Sequence, residues 1–273
     1  MHRSVLITGA STGIGRAAAE WLHNRGWTVY AGARKDRDLE SLAAVGSDRM
    51  IPVQLDITDA EHIAAATDRI GDTLDGVVNN AGVGTGGPIE CIAIDDLRRQ
   101  FEVNVFAQVA VTQAVMPALR ARKGRIVNIG SIGGRIVSPM LGPYCASKFA
   151  LQAITHALRQ ELAPEGMHVA LIEPGVVNTD IWGKAQTTAA HNRGALTPEA
   201  EARYATFLDV AERRFQEQEG GGVDSSVVAK AIEHALSAPT PKTRYLIGND
   251  AKMGAWLRWL GGDRTVDRMA GKR

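Results

Sequence analysis

Tyr144 and Lys148 stand four residues apart in the segment PYCASKFA, residues 143–150. Side chains four apart on a helix lie on one face, so this spacing brings a phenol and an ammonium together. Free tyrosine titrates near pH ~10, where it is a poor acid or base at neutral pH. An ammonium about 4 Å away contributes roughly 4 kcal/mol at an effective dielectric constant near 20, which corresponds to a pKa lower by up to ~3 units. We therefore predict that Lys148 lowers the pKa of Tyr144, which acts as a general acid/base.

Two further polar residues stand where they can assist such a pair. Ser131 follows the apolar run IVNIG and so lies at the carboxyl end of a strand, where open α/β sheets bind ligands. Its hydroxyl can hold a carbonyl or alcohol oxygen. Asn104 interrupts the apolar stretch FEVNVFA, residues 101–107, and a buried amide needs hydrogen-bond partners. Asn104 either packs within its helix or anchors a water that relays protons to Lys148.

A glycine-rich segment, TGASTGIG at residues 8–15, follows an apolar run and opens a helical pattern. Gly9, Gly13 and Gly15 let the backbone turn sharply and approach a ligand closely. The N–H groups and the positive dipole end of the following helix then favour a pyrophosphate. The strand–turn–helix context supports a dinucleotide site, and the alternative is a tight turn without a ligand.

The end of the second apolar run, YAGARKDRD, bears on which dinucleotide is bound. Folds that prefer NAD place an acid there for the ribose 2′-hydroxyl, whereas an arginine accommodates a 2′-phosphate. Ala33 stands at the expected acid position and Arg34 follows it. An arginine pairs bidentately with phosphate and stacks on a base. We therefore predict that NADP(H) is favoured over NAD(H). The alternative is that Arg34, Lys35 and Arg37 are solvated loop charges.

The elements that must position these residues alternate between two types. Short apolar, β-branched runs predict seven strands, and their near-continuous apolar character is typical of strands buried on both faces of a parallel sheet. Longer helical patterns separate them. The fold class is therefore α/β: a doubly wound seven-stranded parallel sheet, or Rossmann fold, with helices on both faces. The strands are predicted at 4–8, 27–32, 50–55, 75–80, 124–130, 167–173 and 243–248, and the helices near 13–25, 59–71, 95–119, 144–163 and 225–238.

We predict one Rossmann-fold domain over residues 1–273. The long polar stretch 176–222 breaks the alternation, and we expect it to be a substrate-binding lid insertion. Residues 249–273 form a C-terminal extension. Within the extension, a short helix is expected to dock one apolar face on the domain or on a second subunit, with a membrane surface as the weaker alternative. The residues of that face are Met253, Trp256, Leu257 and Leu260.

Composition narrows the class of protein. The 273 residues are 45% hydrophobic and 22% charged, as in a folded soluble domain. The net charge of +1 points neither to nucleic acid nor to an acidic membrane surface. Cys91 and Cys145 are the only cysteines, so we expect neither a disulfide framework nor a metal site, and they suit a reducing cytosol. The N-terminal apolar run is too short for a signal peptide, and the polar groups within 101–119 argue against a transmembrane segment, so a cytoplasmic location is expected.

Six motifs occur in order along the chain: T-G-x-x-x-G-x-G at 8–15, N-N-A-G at 79–82, Asn104, Ser131, Y-x-x-x-K at 144–148 and P-G-x-x-x-T at 174–179. The chain thereby resembles the single-domain branch of the short-chain dehydrogenase/reductase family. The stretches GSIGG and YCASKFAL are also similar to the steroid and retinoid dehydrogenases of that family. The resemblance implies a catalytic tetrad of Asn104, Ser131, Tyr144 and Lys148.

The resemblance also implies the ligand contacts. For substrate it implies Ser131 and Tyr144, to which we add Met140, Ile181 and Trp182 as a partly apolar pocket; the alternative is that the apolar three pack against the lid. Asp56 is expected to contact the cofactor, with a helix N-terminal acid as its alternative role. Tyr144 and Lys148 are expected to contact the cofactor together with Gly9, Ser11, Thr12, Gly13, Ile14, Gly15, Arg34, Asp56, Ile57, Asn80, Ala81, Gly82, Pro174, Gly175, Val177 and Thr179.

The function implied is an NADP(H)-dependent enzyme that interconverts an alcohol and a ketone or aldehyde. In reduction, the 4-pro-S hydride would pass to a carbonyl carbon and Tyr144 would donate the proton. We expect a lipophilic small-molecule substrate and a homodimer or homotetramer that shares the helices near 95–119 and 144–163. A non-catalytic NADP-sensing or scaffold protein on the same fold is the alternative, because a fold alone does not establish an activity.

Overall fold

The computed structural model describes residues 3–179, 181–218 and 221–271. Seven strands form a single sheet in the order β3-β2-β1-β4-β5-β6-β7, and every neighbouring pair is parallel. The sequence-based prediction of a doubly wound seven-stranded sheet is confirmed. The strands are β1 (Ser4–Ile7), β2 (Thr28–Ala33), β3 (Met50–Gln54), β4 (Gly76–Asn79), β5 (Arg125–Ile129), β6 (His168–Pro174) and β7 (Arg244–Ile247).

The strand order reverses between β1 and β4, which pair directly although two strands separate them in sequence. At such a reversal the following connections leave towards opposite faces, and a crevice opens at the carboxyl ends of the two strands. The glycine loop leaves β1 and the N-N-A-G segment leaves β4, so the fold places both motifs at this crevice.

The core has two layers, one on each face of the sheet, because consecutive strand residues point to opposite sides. Val5 and Ile7 of β1 belong to one apolar cluster and Leu6 belongs to the other. The first cluster lies under helices α1 (Gly13–His23) and α9 (Ser225–Ser237), and the second under α3 (Ala60–Ile70) and α5 (Ala107–Arg122). The remaining helices are α2 (Asp36–Ala43), α4 (Ile94–Phe101), α6 (Gly142–Leu162), α7 (Ile181–Gly194), α8 (Pro198–Gln218) and α10 (Asn249–Gly271).

Two helical features differ from the predictions. The helix expected near 95–119 is α4 and α5 joined by a π-helical turn at Glu102–Phe106, where the N–H of Ala107 bonds to the carbonyl of Glu102. Helix α2 was not predicted, because its eight residues include four charged ones and bury only Leu42. Its apolar signal is too short to show a helical period.

The stretch 176–222 contains α7 and α8, which pack against each other. Asn192 of α7 donates a 2.8 Å hydrogen bond to the carbonyl of Gly86. On α8, Tyr204 donates to Glu90 at 2.8 Å, and Arg203 forms an ion pair with the same carboxylate at 3.0 Å. The two helices are thus held against the segment after β4. Their role as a substrate lid stays a prediction. The division of the chain into one domain with a lid insertion and a C-terminal extension also stays a prediction.

Helix α10 bends at Gly262, whose φ of 61° lies in the left-handed region. Its inner face buries Ala251 against the body of the protein. Docking of Met253, Trp256 and Leu260 on the domain itself is wrong, because all three are exposed, and Leu257 is half-buried. Docking of this face on a second subunit stays a prediction. Among residues 3–179, 181–218 and 221–271, no helix is both long and apolar enough to cross a membrane.

Candidate active site

The glycine loop has the backbone conformation that only glycine adopts easily at two positions. Gly9 has a φ of 64° and Gly13 a φ of 57°, both in the left-handed region. A Cβ on Gly9 would lie 2.9 Å from the Cα of Ala81, and one on Gly13 would lie 3.0 Å from the Cβ of Thr179. A Cβ on Gly15 would collide with the carbonyl oxygen of Gly9. The loop therefore needs all three glycines to pass this closely to its neighbours and open α1.

The segment after β4 is hydrogen-bonded to the glycine loop. The hydroxyl of Thr8 accepts from the N–H of Asn80 at 2.9 Å and from that of Ala81 at 3.0 Å. The side-chain amide of Asn80 donates back to the carbonyls of Thr8 and Gly9 at 2.9 and 3.0 Å. These bonds fix the two sides of the crevice relative to each other, so its shape is set before any ligand binds.

A cleft of about 850 Å³ extends from the glycine loop along the ends of β2 and β3. Its volume suits a large organic ligand. Gly15 lines no part of it, since its role is the close packing just described. The residues of the predicted cofactor set that line the cleft are Gly9, Ser11, Thr12, Gly13, Ile14, Arg34, Asp56, Ile57, Asn80, Ala81, Gly82 and Thr179.

Positive charge is concentrated on the walls of this cleft. Arg34, Lys35 and Arg37 come from the segment after β2, and Arg98 and Arg99 come from α4. The acidic residues in the lining are Asp38, Asp56 and Glu102, so cations outnumber acids by five to three. The sequence-based predictions missed the two α4 arginines, because nothing in a charged surface helix indicates which part of the protein it faces.

Asp56 and Arg34 face each other across the cleft wall, with 3.7 Å between the Arg34 Nη1 and Asp56 Oδ2 atoms. Burial raises the pKa of the Asp56 carboxyl, but hydrogen bonds from Thr58 and the charge of Arg34 outweigh it and lower the pKa overall. The alternative role of Asp56 as a helix N-cap is wrong, because Asp59 caps α3 by accepting from the N–H groups of Glu61 and His62.

A smaller cavity of about 80 Å³ continues the cleft towards β5 and α6. The two share Ile14, Asn80, Gly82, Val83 and Thr179, so they form one continuous space. The structure thus brings the predicted tyrosine, lysine and serine to one end of the predicted cofactor set. The smaller cavity is lined by Ile14, Asn80, Gly82, Val83, Ile129, Gly130, Ser131, Tyr144, Lys148, Pro174, Gly175, Val177 and Thr179.

Tyr144 titrates in the opposite direction from the prediction. Burial raises the pKa of its phenol to about 12, while a hydrogen bond with the Ser131 side chain acts to lower it. Ser131 is the N-cap of a 3₁₀ turn at Ile132–Gly134 and also accepts from the N–H of Gly133 at 3.0 Å. The phenol is therefore protonated at neutral pH.

Burial, rather than Lys148, sets the direction of the Tyr144 pKa shift in the protein alone. Its ammonium Nζ lies 5.8 Å from the centroid of the Tyr144 ring and donates a 2.8 Å hydrogen bond to the carbonyl of Ile129. Burial lowers the pKa of Lys148 itself to about 8. The four-residue spacing accounts for the attraction between the two groups but not for the cost of burying each of them, and in the protein alone burial is the larger effect.

Asn104 lies fully buried in the π-helical turn. Its side-chain oxygen accepts from the N–H of Val83 at 2.9 Å, and its amide donates to the carbonyl of Val83 at 2.9 Å and to the Ser147 hydroxyl at 3.1 Å. Ser147 in turn donates to the carbonyl of Tyr144 at 2.7 Å. The direct contacts of Asn104 are therefore structural: they join the wall of the cleft to the first turn of α6. A water relay to Lys148 stays a prediction.

Of the three apolar substrate residues, Met140 is the one whose side chain the structure describes. Met140 is 9% exposed, adopts a φ of 68°, and lines neither the cleft nor the smaller cavity. Ile181 and Trp182 begin α7, but their side chains lie outside the described part of the chain. In the residues that the structure describes, no three histidine, cysteine or acidic side chains are grouped as metal ligands.

The described residues fit a dinucleotide cofactor on three counts. Gly9 and Gly13 line the cleft without a side chain to keep a ligand from the backbone, and the N-terminus of α1 opens into the cleft without a side-chain cap. Excess positive charge lies at the end where Arg34 was expected to hold a 2′-phosphate. Tyr144 and Lys148 lie at the other end.

Comparison with known proteins gives consistent results. Residues 3–190 match the family described as short chain dehydrogenase. An NADPH-dependent 3-dehydrocapnine reductase from Ornithobacterium rhinotracheale is 35% identical over 98% of this chain and 95% of its own. Mouse (Mus musculus) retinol dehydrogenase 5 is 37% identical over 93% of this chain and 82% of its own. A solved Burkholderia phymatum short chain dehydrogenase/reductase in complex with NAD superposes with a TM-score of 0.80 at 25% identity, covering 94% of this chain and 93% of the other.

Proposed function

The chain belongs to the short-chain dehydrogenase/reductase family, of the steroid- and retinoid-like type, and on that premise we propose that it is an NADP(H)-dependent oxidoreductase that interconverts an alcohol and a ketone or aldehyde. The observation that carries the proposal is that Ser131, Tyr144 and Lys148 come together, with the Lys148 Nζ 5.8 Å from the centroid of the Tyr144 ring. This group lines the small cavity at the end of a cleft shaped for a dinucleotide.

The roles of the side chains follow from their protonation. When bound, the nicotinamide supplies the hydride in reduction and takes it up in oxidation. Ser131 and Tyr144 hold the substrate oxygen. With a pKa of about 12, Tyr144 carries its proton at neutral pH and can donate it to that oxygen during reduction. Lys148, with a pKa of about 8, is mostly charged at neutral pH and favours the phenolate that forms.

The preference for NADP(H) rests on Arg34 and the cations around it. Arg34 is 58% exposed on its side chain, so its guanidinium is accessible to a phosphate as well as to Asp56. The relative that requires NADPH supports this preference, while the solved relative with bound NAD shows that the fold serves both cofactors. An arginine at this position discriminates because it is a poor partner for a bare 2′-hydroxyl and a strong one for a phosphate.

We propose a lipophilic substrate. The small cavity has the apolar residues Val83, Ile129, Pro174 and Val177 in its walls, beside the polar Asn80, Ser131, Tyr144, Lys148 and Thr179. The retinol dehydrogenase among the relatives is named for a lipophilic alcohol, which supports the same class. A homodimer or homotetramer is part of the proposal, and light scattering during size-exclusion chromatography measures it. The cytoplasmic location stays a prediction.

Turnover by the purified protein separates the enzyme from the alternative sensor or scaffold. NADPH absorbance is followed with a panel of ketones and aldehydes, for the wild type and for Tyr144→Phe. We expect the phenylalanine variant to lose about 10²–10⁴-fold in kcat, the contribution of one general acid, while NADPH binding persists. Tyr30→Phe, on β2, is the matched control. NADPH binding without turnover of any panel member would favour the sensor, and equal turnover by Tyr144→Phe would exclude Tyr144 as the proton donor.

A further inference from the structure

A second pocket lies between α6, β7 and α10, away from the cleft. Its volume is about 340 Å³, within the range of small-molecule sites. It has no lining residue in common with the cleft or the small cavity. Its lining residues are Gly134, Arg135, Phe149, Gln152, Arg244, Ala255, Arg258 and Trp259.

Two arginines at the base of this pocket share one buried carboxylate. Arg135 binds Glu173 through two hydrogen bonds, from Nε at 2.8 Å and from Nη2 at 2.7 Å. Arg244 approaches the same carboxylate, with 3.7 Å between its Nη1 and Glu173 Oε1. Glu173 is only 1% exposed. The single negative charge of the Glu173 carboxylate therefore faces two guanidinium groups in a region that is largely shielded from solvent.

The neighbouring groups add positive charge. Burial lowers the pKa of Arg244, and the positive charges of Arg135 and Arg159 lower it further. The negative charge of Glu173 acts in the opposite direction. His156 accepts from Arg244 at 3.0 and 2.8 Å, and burial and the charges of these arginines lower its pKa, against the effect of Glu173. The base of the pocket thus carries uncompensated positive charge.

The rim adds a third arginine and two aromatic rings. The guanidinium of Arg258 lies 5.9 Å from the ring centroid of Phe149, and its ion-pair partner in the described chain is Asp263 at 3.3 Å. The Asp263 side chain is 77% exposed, so solvent weakens that pair. Trp259 is 79% exposed although it lines the pocket. The pocket therefore combines a cationic base with aromatic walls.

We propose that this pocket binds a small organic anion, a carboxylate or phosphate monoester carried on an apolar or aromatic group. The anionic end would face Arg135, Arg244 and Arg258, whose guanidinium groups pair well with both kinds of anion. The apolar part would lie between Phe149 and Trp259. Binding there would supply the negative charge that the protein itself lacks at the base and would cover an exposed tryptophan.

The test uses the full chain and phenyl phosphate as the probe. Isothermal titration calorimetry on the wild type should show one saturable site, which weakens as salt is added. Arg258→Gln should weaken it about tenfold, the effect of losing one charge-assisted hydrogen bond. Arg258 is on the rim, so its replacement leaves the buried pairs with Glu173 intact. Arg69→Gln, at an exposed position on α3, is the matched control and should bind like the wild type.

Further arms distinguish binding in this pocket from binding elsewhere on the protein. Inorganic phosphate should bind more weakly than phenyl phosphate, and equal affinity would contradict a role for the aromatic walls. Phenyl phosphate binding that falls in Arg34→Ala but not in Arg258→Gln belongs to the cleft and overturns the proposal. The proposal is also overturned if Arg69→Gln weakens phenyl phosphate binding as much as Arg258→Gln does. It is overturned as well if Arg258→Gln changes the oligomeric state of the protein.

A last arm asks where such an anion would come from. Sedimentation with phosphatidylglycerol vesicles tests a lipid headgroup as the source. Sedimentation that Arg258→Gln reduces about tenfold supports the pocket with a lipid as its ligand. Absence of sedimentation, alongside phenyl phosphate binding, supports the pocket with a free solute.

Discussion

Tyr144 and Lys148 take their pKa values mainly from burial. The pKa of the phenol rises to about 12 and the pKa of the ammonium falls to about 8, so each is held closer to its neutral form. Burial disfavours the charged form of any group, whatever its sign. At neutral pH the phenol still has its proton to give, and the ammonium is still mostly charged. This combination suits proton donation during the reduction of a carbonyl.

Lys148 should make the stability of the protein depend on pH. Between pH 8 and the ordinary lysine pKa of 10.5, the unfolded chain holds a proton that the folded chain has released. Stability therefore rises with pH across this window. Relative to Lys148→Met, the wild type should gain up to about 3 kcal/mol in the free energy of unfolding between these limits. Urea unfolding of both proteins at three pH values measures this gain, and parallel pH curves would contradict it.

Arg34 should decide the choice between the two dinucleotides. Arg34→Ala should raise the KM for NADPH about tenfold or more and leave the KM for NADH nearly unchanged, because a charge-assisted hydrogen bond to phosphate is worth about 1.5–3 kcal/mol. Steady-state kinetics with each cofactor measures both constants. Arg69→Ala, at an exposed position on α3, is the control. An equal change for both cofactors would show that Arg34 does not read the 2′-phosphate.

At the scale of elements, the π-helical turn at Glu102–Phe106 positions the cleft wall. It turns Asn104 inward, where the amide bonds to both main-chain groups of Val83 and to Ser147 of α6. Gln100 of α4 adds a 2.8 Å bond to the carbonyl of Val83. The π-helical turn and α4 thus hold Val83, which lies in the irregular stretch that follows β4.

Replacement of Asn104 tests this positioning. In Asn104→Leu the N–H of Val83 loses its acceptor, while the carbonyl keeps Gln100. We expect a loss of about 1–3 kcal/mol in the free energy of unfolding, the cost of an unsatisfied buried donor. Urea denaturation measures the loss. Gln113→Leu, at an exposed position on α5, is the matched control, and its free energy of unfolding should stay close to that of the wild type. A similar loss in both variants would contradict a specific role for the bond between Asn104 and Val83.

At the scale of the whole molecule, the pairs around Glu173 join parts that are distant in sequence. Glu173 lies on β6, Arg244 begins β7, and Arg135 follows the 3₁₀ turn after Ser131. The amide of Gln152, on α6, completes the group by donating to the carbonyl of Gly134 at 2.7 Å and accepting from Arg244 at 2.6 Å, in the orientation that satisfies both neighbours. The same cluster therefore supports both the last strands and the loop that carries Ser131.

Removal of this carboxylate should destabilise the whole fold. Glu173→Leu leaves Arg135 and Arg244 as uncompensated charges, and breaking a buried pair in this way costs about 3–5 kcal/mol. Thermal and urea unfolding measure the loss. Glu165→Leu, which breaks the exposed pair with Arg120, is the control and should have little effect. An equal loss of unfolding free energy in both variants would show that the buried ion pairs of Glu173 contribute no more to stability than an exposed pair.

The sequence by itself determined the alternation of strands and helices, the parallel sheet and the glycine loop. These follow from local rules: apolar runs identify buried strands, and a positive φ or a close backbone approach requires glycine. Seven strands and the glycine loop therefore lie where they were predicted. Helix α2 was not predicted, because a short charged segment with one buried leucine shows no helical periodicity of apolar residues.

Only the tertiary structure decided the electrostatics. The pKa of Tyr144 depends on how far the surrounding elements remove its phenol from water, and the local spacing to Lys148 contains no such information. The cations of the cleft include Arg98 and Arg99, and those of the second pocket are Arg135, Arg244 and Arg258, which come together from separate elements. Charge and burial act through space rather than along the chain, so these properties exist only once the sheet and its helices are packed.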